Sequence, residues 1–358
     1  MTAWRSSLPA VVTVLVRPAS AKWKMDDFSN TYHTIMKDFS RCLCCGELLK
    51  EQEEFYHAKC MKKLFHSQHV PVLNYTQEEL NTLAKNTILN RISVPGVQPK
   101  LSLHLEKKQA DSHSRLTLVG LEGDYILKPQ SPQWQFLPEA EHVCMLLARK
   151  CKITTADFGL IPLKSGELAY ITRRMDRTEN GPLHMEDFCQ ILNKMTDQKY
   201  NGSMEQIGKA LRQCSDIVGL DMIRFFELTV FCFLTGNSDM HLKNFSMIHC
   251  PDGHYELSPA YDLVPVNIIM PEDTEELALT LNGKKKHLKR VDFERFGATL
   301  KLSVQQIDKA LKHLPAVVNK CLPSVLEASF LPLSMRNQIK ALVEQRVMVF
   351  SPRSIITN

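Results

Sequence analysis

Five polar residues set among apolar runs carry the chemistry open to this chain. Lys128 closes the stretch Tyr125-Ile126-Leu127-Lys128, Glu141 lies in "LPEAEHVCMLLA", Asp239 and Asn244 stand in "TGNSDMHLKNFSMI", and Asp262 sits in "SPAYDLVP". The Asp239 loop is closed by "FFELTVFCFL" on one side and "FSMI" on the other. A core segment there would be more stable than a run of acid, histidine and amide, so the polar residues point to chemistry rather than packing. Phosphoryl transfer needs these types: a cation for nucleotide phosphates, acid and amide oxygens for Mg²⁺, and a carboxylate to orient the attacking hydroxyl. Lys128, at a strand end, is placed to reach phosphates, and Glu141, one turn inside the following helix, is placed to pair with it.

Apolar periodicity supplies the supports. "LSLHLEKK" alternates with Leu101, Leu103 and Leu105 on one face, "SRLTLVG" and "DYILKPQ" are further strands, and "GLIPLKSGELAYITRRMDR" predicts a hairpin turning at Lys164-Ser165-Gly166. "EAEHVCMLLARKC" predicts an amphipathic helix packed on that sheet. Thr76 caps a helix expected to run to Lys85, with Glu78 and Glu79 in its favourable first turn. From residue 184 helical patterns take over, chiefly over 216–234 and 304–314. Strands first and helices after predict an α+β fold rather than alternating βαβ units.

The bulk numbers agree with a globular protein. The chain has 358 residues, 44% hydrophobic and 23% charged, with a net charge of +5; wholesale disorder and a membrane protein both fit poorly. The apolar stretch 8–16 is too short to span a bilayer, and a signal-peptide reading of Ala19-Ser20-Ala21 is weakened by Arg17. Residues 1–40 are expected to be a disordered extension or an over-long gene start, with Met25 or Met36 as initiator. Most of the eleven cysteines stand singly in apolar runs, as reduced thiols of a cytoplasmic protein do. One group differs: Cys42-x2-Cys45 followed by His57-x2-Cys60 has the spacing of a tetrahedral zinc knuckle, the alternative being side chains that simply pack a small subdomain. The basic run "GKKKHLKR" at 283–290 is either a solvated surface or a phosphate or nucleic-acid contact.

Lys, Glu, Asp-x4-Asn and Asp occur here in the order found in protein kinases, where the first Asp is the base and the Asn and last Asp hold magnesium. A glycine-rich G-x-G-x-x-G loop is absent, no D-F-G triplet follows Asp239, and Gly-Asn-Ser precedes Asp239 in place of His-Arg. Instead "ISVPGVQPKLSL", "YILKP" with "LPEAEHVCMLLA", "GNSDMHLKNFSMI" and "LSPAYDLVPV" resemble the HipA/HipT family of bacterial toxin–antitoxin kinases, from Cys42 to about Phe350.

That resemblance implies a bilobal kinase-like fold: a small β-rich N-lobe over 41–175, with the knuckle and an ATP loop, and a larger helical C-lobe over 176–358. It implies ATP and Mg²⁺ as cofactors, Asp239 as catalytic base, Asn244 and Asp262 as Mg²⁺ ligands, and Lys128 as the phosphate-binding lysine. His241 would contact the nucleotide or brace its loop, and "RRMDR" at 173–177 would link the lobes. In "SVPGVQPK", Gly96 and Gln98 would cradle phosphates with Lys100 nearby, and Ser93 would be the autophosphorylated, silencing residue. The implied partners are a HipB-like helix-turn-helix antitoxin, through which any DNA contact would run, and a HipS-like small antitoxin, since the chain is closer to the short HipT type. The implied substrate is an aminoacyl-tRNA synthetase. Two other classes stay open: a catalytically silent kinase fold within a DNA-binding repressor complex, and a small-molecule kinase.

Overall fold

A computed structural model of the protein describes residues 39–89, 100–106, 114–119 and 123–351. The expectations for residues 1–38 and for Ser93, Gly96 and Gln98 lie outside the described residues.

Alternating leucines build the first sheet. Strand β1 (Leu101–Glu106) buries Leu101, Leu103 and Leu105 and exposes His104 and Glu106. It pairs antiparallel with β2 (Arg115–Val119), Leu103 opposite Leu118, and on its other side with β3 (Tyr125–Lys128), Leu103 opposite Tyr125. Strands β4 (Phe158–Pro162) and β5 (Leu168–Arg173) form the expected hairpin, closed at Gly166 with φ of +99°, a conformation glycine adopts without strain. The order is β2-β1-β3-β5-β4, so Lys128 at the end of β3 faces Tyr170 of β5. Ahead of the sheet come α1 (Ala58–Phe65) and α2 (Gln77–Leu89), the latter one turn longer than the sequence predicts.

Helix α3 (Leu137–Lys150) connects β3 to β4 and is buried from Leu137 to Ala148. The sequence predicts an amphipathic helix here; the structure instead covers its second side with a long C-terminal helix, and "VCMLLA" is apolar enough for both neighbours.

The helical part comprises α4 (Met204–Cys214), α5 (Val218–Thr235), α6 (Arg290–Thr299), α7 (Val304–Glu327) and α8 (Leu333–Val347). Phe225, Phe226, Phe231 and Phe233 of α5 are fully buried, so this helix is the core that the others surround. Helix α7 runs on through Pro315 and Pro323, whereas the sequence predicts an end at Leu314. Each proline removes a backbone bond at about 3 kcal/mol. The buried stripe of Ile307, Leu311, Leu314, Val318, Leu322 and Val325, packed against α3, α5, α6 and α8, outweighs that loss. A second sheet, ordered β8-β7-β6, consists of β6 (Met185–Asp187), β7 (Ser246–His249) and β8 (Tyr255–Leu257).

The basic run 283–290 is engaged by its surroundings: Lys284 with Asp292 at 2.8 Å, Lys285 with Glu275 at 3.1 Å, and Arg290 with Glu294 and Asp308, both at 2.8 Å. These pairs favour the solvated-surface reading over an anion site. No helix among the described residues is long and apolar enough to cross a membrane.

Candidate active site

The loop after α5 is held at both ends by the elements the sequence supplies. Gly236 closes α5 with φ of +72°, where a side chain is strained, and a Cβ there would also have to displace the Leu342 side chain, 2.5 Å away. Strand β7 begins two residues after Asn244. Between them the buried backbone must find partners, and short polar side chains provide them. Asn237 accepts from the Asp239 amide at 3.3 Å and donates to the Asp262 carbonyl at 3.5 Å. Ser238 donates to Asp273 at 2.6 Å, and Asn267 donates to the Asp273 and Glu275 carbonyls at 2.9 and 3.0 Å. Behind them Arg346 of α8, only 8% exposed, donates to Asn267 at 2.7 Å and to the Phe233 carbonyl. The loop is thus a braced turn that sets Asp239 and Asn244 against each other.

Within it, Asn244 Nδ2 donates to the Asp239 carbonyl at 3.0 Å, which directs its Oδ1 the other way as a free hard-oxygen donor. The Asp239 carboxylate receives a hydrogen bond from the Tyr200 hydroxyl at 2.5 Å. Burial raises the Asp239 carboxyl above its ordinary value while Tyr200 pulls it back, which moves it toward the range of a working general base. His241 is buried, its ring edge-to-face with Tyr200 at 5.1 Å. Burial pushes it down to about 4, so it is a neutral imidazole at pH 7, and its Nδ1 has no hydrogen-bond partner among the described residues.

The second half of the site is a charge cluster. Lys128 Nζ donates to both oxygens of Glu141, at 2.6 and 2.8 Å, and also to Asp262 Oδ1. Lys100 reaches the other oxygen of Asp262 at 3.0 Å. Lys128 and Glu141 are 3% and 0% exposed, so neither charge survives without the other. Burial works against the charged lysine, but Asp262 and Glu141 overcome it and hold the ammonium above its ordinary value. Burial pushes Glu141 up to about 7 against the pull of Lys128. Asp262 is half-buried, and against the effect of desolvation Lys100 and Lys128 keep it well below the usual carboxylate range. Its backbone sits at φ of +59°, a conformation a non-glycine residue holds only when its surroundings over-determine it.

The Asp262 carboxylate, which already gathers two ammonium groups, and the Asn244 amide oxygen, aimed away from its own loop, are the hard oxygen donors a divalent cation takes. The residues present therefore fit Mg²⁺. Of the residues singled out in the sequence, Lys128, Glu141, Asp239, His241, Asn244 and Asp262 come together here. The segment 173–177 is tied down locally: Arg173 contacts His66, and Arg174 and Arg177 both pair with Asp176. Cys42, Cys45, His57 and Cys60 converge elsewhere, beside the sheet.

Sequence reasoning missed Tyr200 and Arg346. Tyr200 lies in the aperiodic "DQKYNGS" and gives no local signal. Arg346 does give one: it follows Ile339 and Val343 on the buried face of α8, where a charged residue needs a partner.

Comparison with known proteins places this geometry. The family model of HipA-like C-terminal domains matches residues 92–321, more than half of the chain. The protein Y4dM of Sinorhizobium fredii, which carries a provisional kinase name, is 33% identical over 226 residues, 60% of this chain and 54% of that protein. The serine/threonine-protein kinase toxin HipA of Shewanella oneidensis is 29% identical over 219 residues, 54% of this chain and 47% of that protein. The chain spans about half the length of these two relatives. Among solved structures, the complex of HipA, HipB and operator DNA from the Shewanella oneidensis MR-1 toxin–antitoxin system aligns with a TM-score of 0.61 at 21% identity, covering 78% of this chain and 72% of that one. That likeness establishes the kinase-like α+β fold.

Proposed function

Because the chain belongs to the family of HipA-like C-terminal domains, we propose that it is an ATP-dependent protein kinase of the toxin–antitoxin type, phosphorylating serine or threonine. The observation that carries this reading is the union of the Lys128–Glu141–Asp262 charge cluster with the Asp239–Asn244 turn. A silent fold has no use for a buried lysine held at two carboxylates beside a partly desolvated third.

ATP is the phosphoryl donor, and a Mg²⁺ ion held by Asn244 and Asp262 would neutralise charge on its phosphates. The chain's own groups do the rest. Lys128 has three N–H donors, two on Glu141 and one on Asp262. Exchanging the Asp262 contact for a phosphate oxygen keeps the lysine fixed by Glu141 and releases the Asp262 carboxylate. Asp239, oriented by Asn237 and kept from water by Tyr200 and His241, accepts the proton of the substrate hydroxyl. The neutral His241 offers its unpartnered Nδ1 toward the site without adding positive charge.

In this reading the enzyme works in the cytoplasm with a HipB-like antitoxin, and with a HipS-like one if it is of the short type. The relative's solved complex with HipB and DNA supports the kind of partner. The substrate is an aminoacyl-tRNA synthetase, and Ser93 is the autophosphorylated residue; Gly96 and Gln98 line the phosphates. The N-lobe ends near residue 175 and the C-lobe follows. Incubating the full chain with γ-labelled ATP, Mg²⁺ and a bacterial lysate, then mapping phosphosites, tests this. Label is expected on Ser93 and on a synthetase; label on small molecules alone would overturn it.

A further inference from the structure

We propose that Cys42, Cys45, His57 and Cys60 bind one zinc ion at a closed structural site that fastens the edge of the five-stranded sheet. The proposal is independent of the phosphoryl-transfer reading. The four ligand atoms all lie within 4.8 Å of one another. His57 Nδ1 is 3.3 Å from Cys45 Sγ and 3.9 Å from Cys60 Sγ. Tetrahedral zinc with ordinary bond lengths requires sulfur–nitrogen edges of about 3.6 Å and sulfur–sulfur edges of about 3.8 Å. The cluster is therefore close to coordination size as it stands.

Its orientation is also prepared. His57 Nε2 lies 2.9 Å from the Leu48 carbonyl, and a hydrogen bond there places the proton on Nε2 and leaves the Nδ1 lone pair facing the three sulfurs. This is the outer-shell arrangement that fixes metal-bound histidines. The backbone amide of His57 donates to Cys42 Sγ at 3.4 Å, and the Gly46 amide donates to the Cys42 carbonyl at 2.8 Å, with Gly46 at φ of +73° closing the Cys-x2-Cys turn. Cys45, His57 and Cys60 are half-buried, which leaves a route for the ion. Cys44 is no ligand: it turns toward Gly159, where a Cβ would lie 2.9 Å from its sulfur.

The position of the knuckle gives the ion its task. Strand β4 is an edge strand, and the knuckle covers it: the Leu160 amide donates to the Leu43 carbonyl at 2.8 Å, and the Tyr56 hydroxyl to the Leu160 carbonyl at 2.7 Å. On its other side a Cβ at Gly46 would lie 3.1 Å from Ala328, and Phe39 packs on Phe55 and Phe330. A loop this short has no core of its own and needs a staple to hold β4 and the end of α7 together. Four protein ligands leave no open position, so the ion is structural rather than catalytic.

The test uses the full chain purified under reducing conditions, with zinc measured by mass spectrometry. One zinc per chain is expected, lost in Cys45→Ser and in Cys60→Ser, and retained in His57→Cys, which supplies an equivalent ligand. Cys250→Ser, at a separate cluster with Asp252 and His254, is expected to keep the zinc. To separate loss of ligand from loss of folding in the serine variants, the chelator-stripped wild-type chain is also titrated with Co²⁺, where a sulfur-to-metal charge-transfer band is expected at one equivalent. A wild-type chain without zinc that takes up neither zinc nor Co²⁺ would overturn the proposal. So would full zinc content in both serine variants, or a Cys42–Cys45 disulfide in the freshly purified reduced protein.

Discussion

Replacing Lys128 by methionine separates what the charge cluster does for stability from what it does for chemistry. The substitution keeps the stem but leaves the Glu141 carboxyl, 0% exposed and bonded twice to Lys128, without its partner. Removing one member of a buried pair costs about 3–5 kcal/mol. Asp262 retains Lys100, so the loss falls mainly on Glu141. For a unit of this size that loss corresponds to a thermal midpoint lower by roughly 4–8 °C. The destabilisation should shrink at pH 5, where Glu141 can be protonated. Adding Glu141→Leu should restore most of the stability, because a buried pair replaced by apolar groups of similar volume is often neutral. Phosphoryl transfer should be lost in both variants. The assays are thermal melts at two pH values alongside transfer of γ-phosphate. A single variant within about 1 kcal/mol of wild type, or a double variant no more stable than the single, would refute the reasoning.

Three other outcomes follow from the same geometry. Tyr200→Phe removes the donor that holds Asp239 down, so the acidic limb of the rate profile should move to higher pH; an unmoved limb would show that the hydroxyl does not act on the base. Arg346→Met breaks two charge-assisted bonds behind the Asp239 loop and should cost about 2–4 kcal/mol in urea unfolding, with kcat reduced more than ATP binding. His142, fully buried between Phe158 and Phe330, is pushed down to about 4 by burial. Its folded value lies below its unfolded one, so the stability it contributes is complete above about pH 6.5 and lost as pH falls toward 4. His142→Phe should therefore remove roughly 3 kcal/mol of the acid-side loss, and identical pH slopes in the two proteins would contradict that.

The Asp239 loop was legible because its polarity clashes with its flanks: Asp239, His241 and Asn244 stand between the buried C-terminal half of a helix and a buried strand. Lys128 and Glu141 were legible from the end of an alternating strand and the start of the next helix. Asp262 was expected as a ligand, but its left-handed backbone and its two lysines depend on tertiary contacts that no local pattern encodes. The same holds for α7, which continues through Pro315 because four neighbouring helices stabilise its apolar stripe. Tyr200 reaches Asp239 across a separation of 39 residues, from a turn with neither periodicity nor charge pattern. Arg346 was readable in principle as a charge on a buried helical face, yet its partners are fixed only by how α8 lies on α5.

The central claim is that Asp239, set by the braced turn, is the base of a phosphoryl transfer. The direct measurement is the rate of γ-phosphate transfer from ATP to protein in the presence of Mg²⁺, comparing wild type with Asp239→Asn after both are shown to melt at the same temperature. The account predicts transfer by the wild type and a fall of about 10²–10⁴-fold or more in the variant. Equal rates in the two proteins, or no transfer by either in any bacterial lysate, would contradict it.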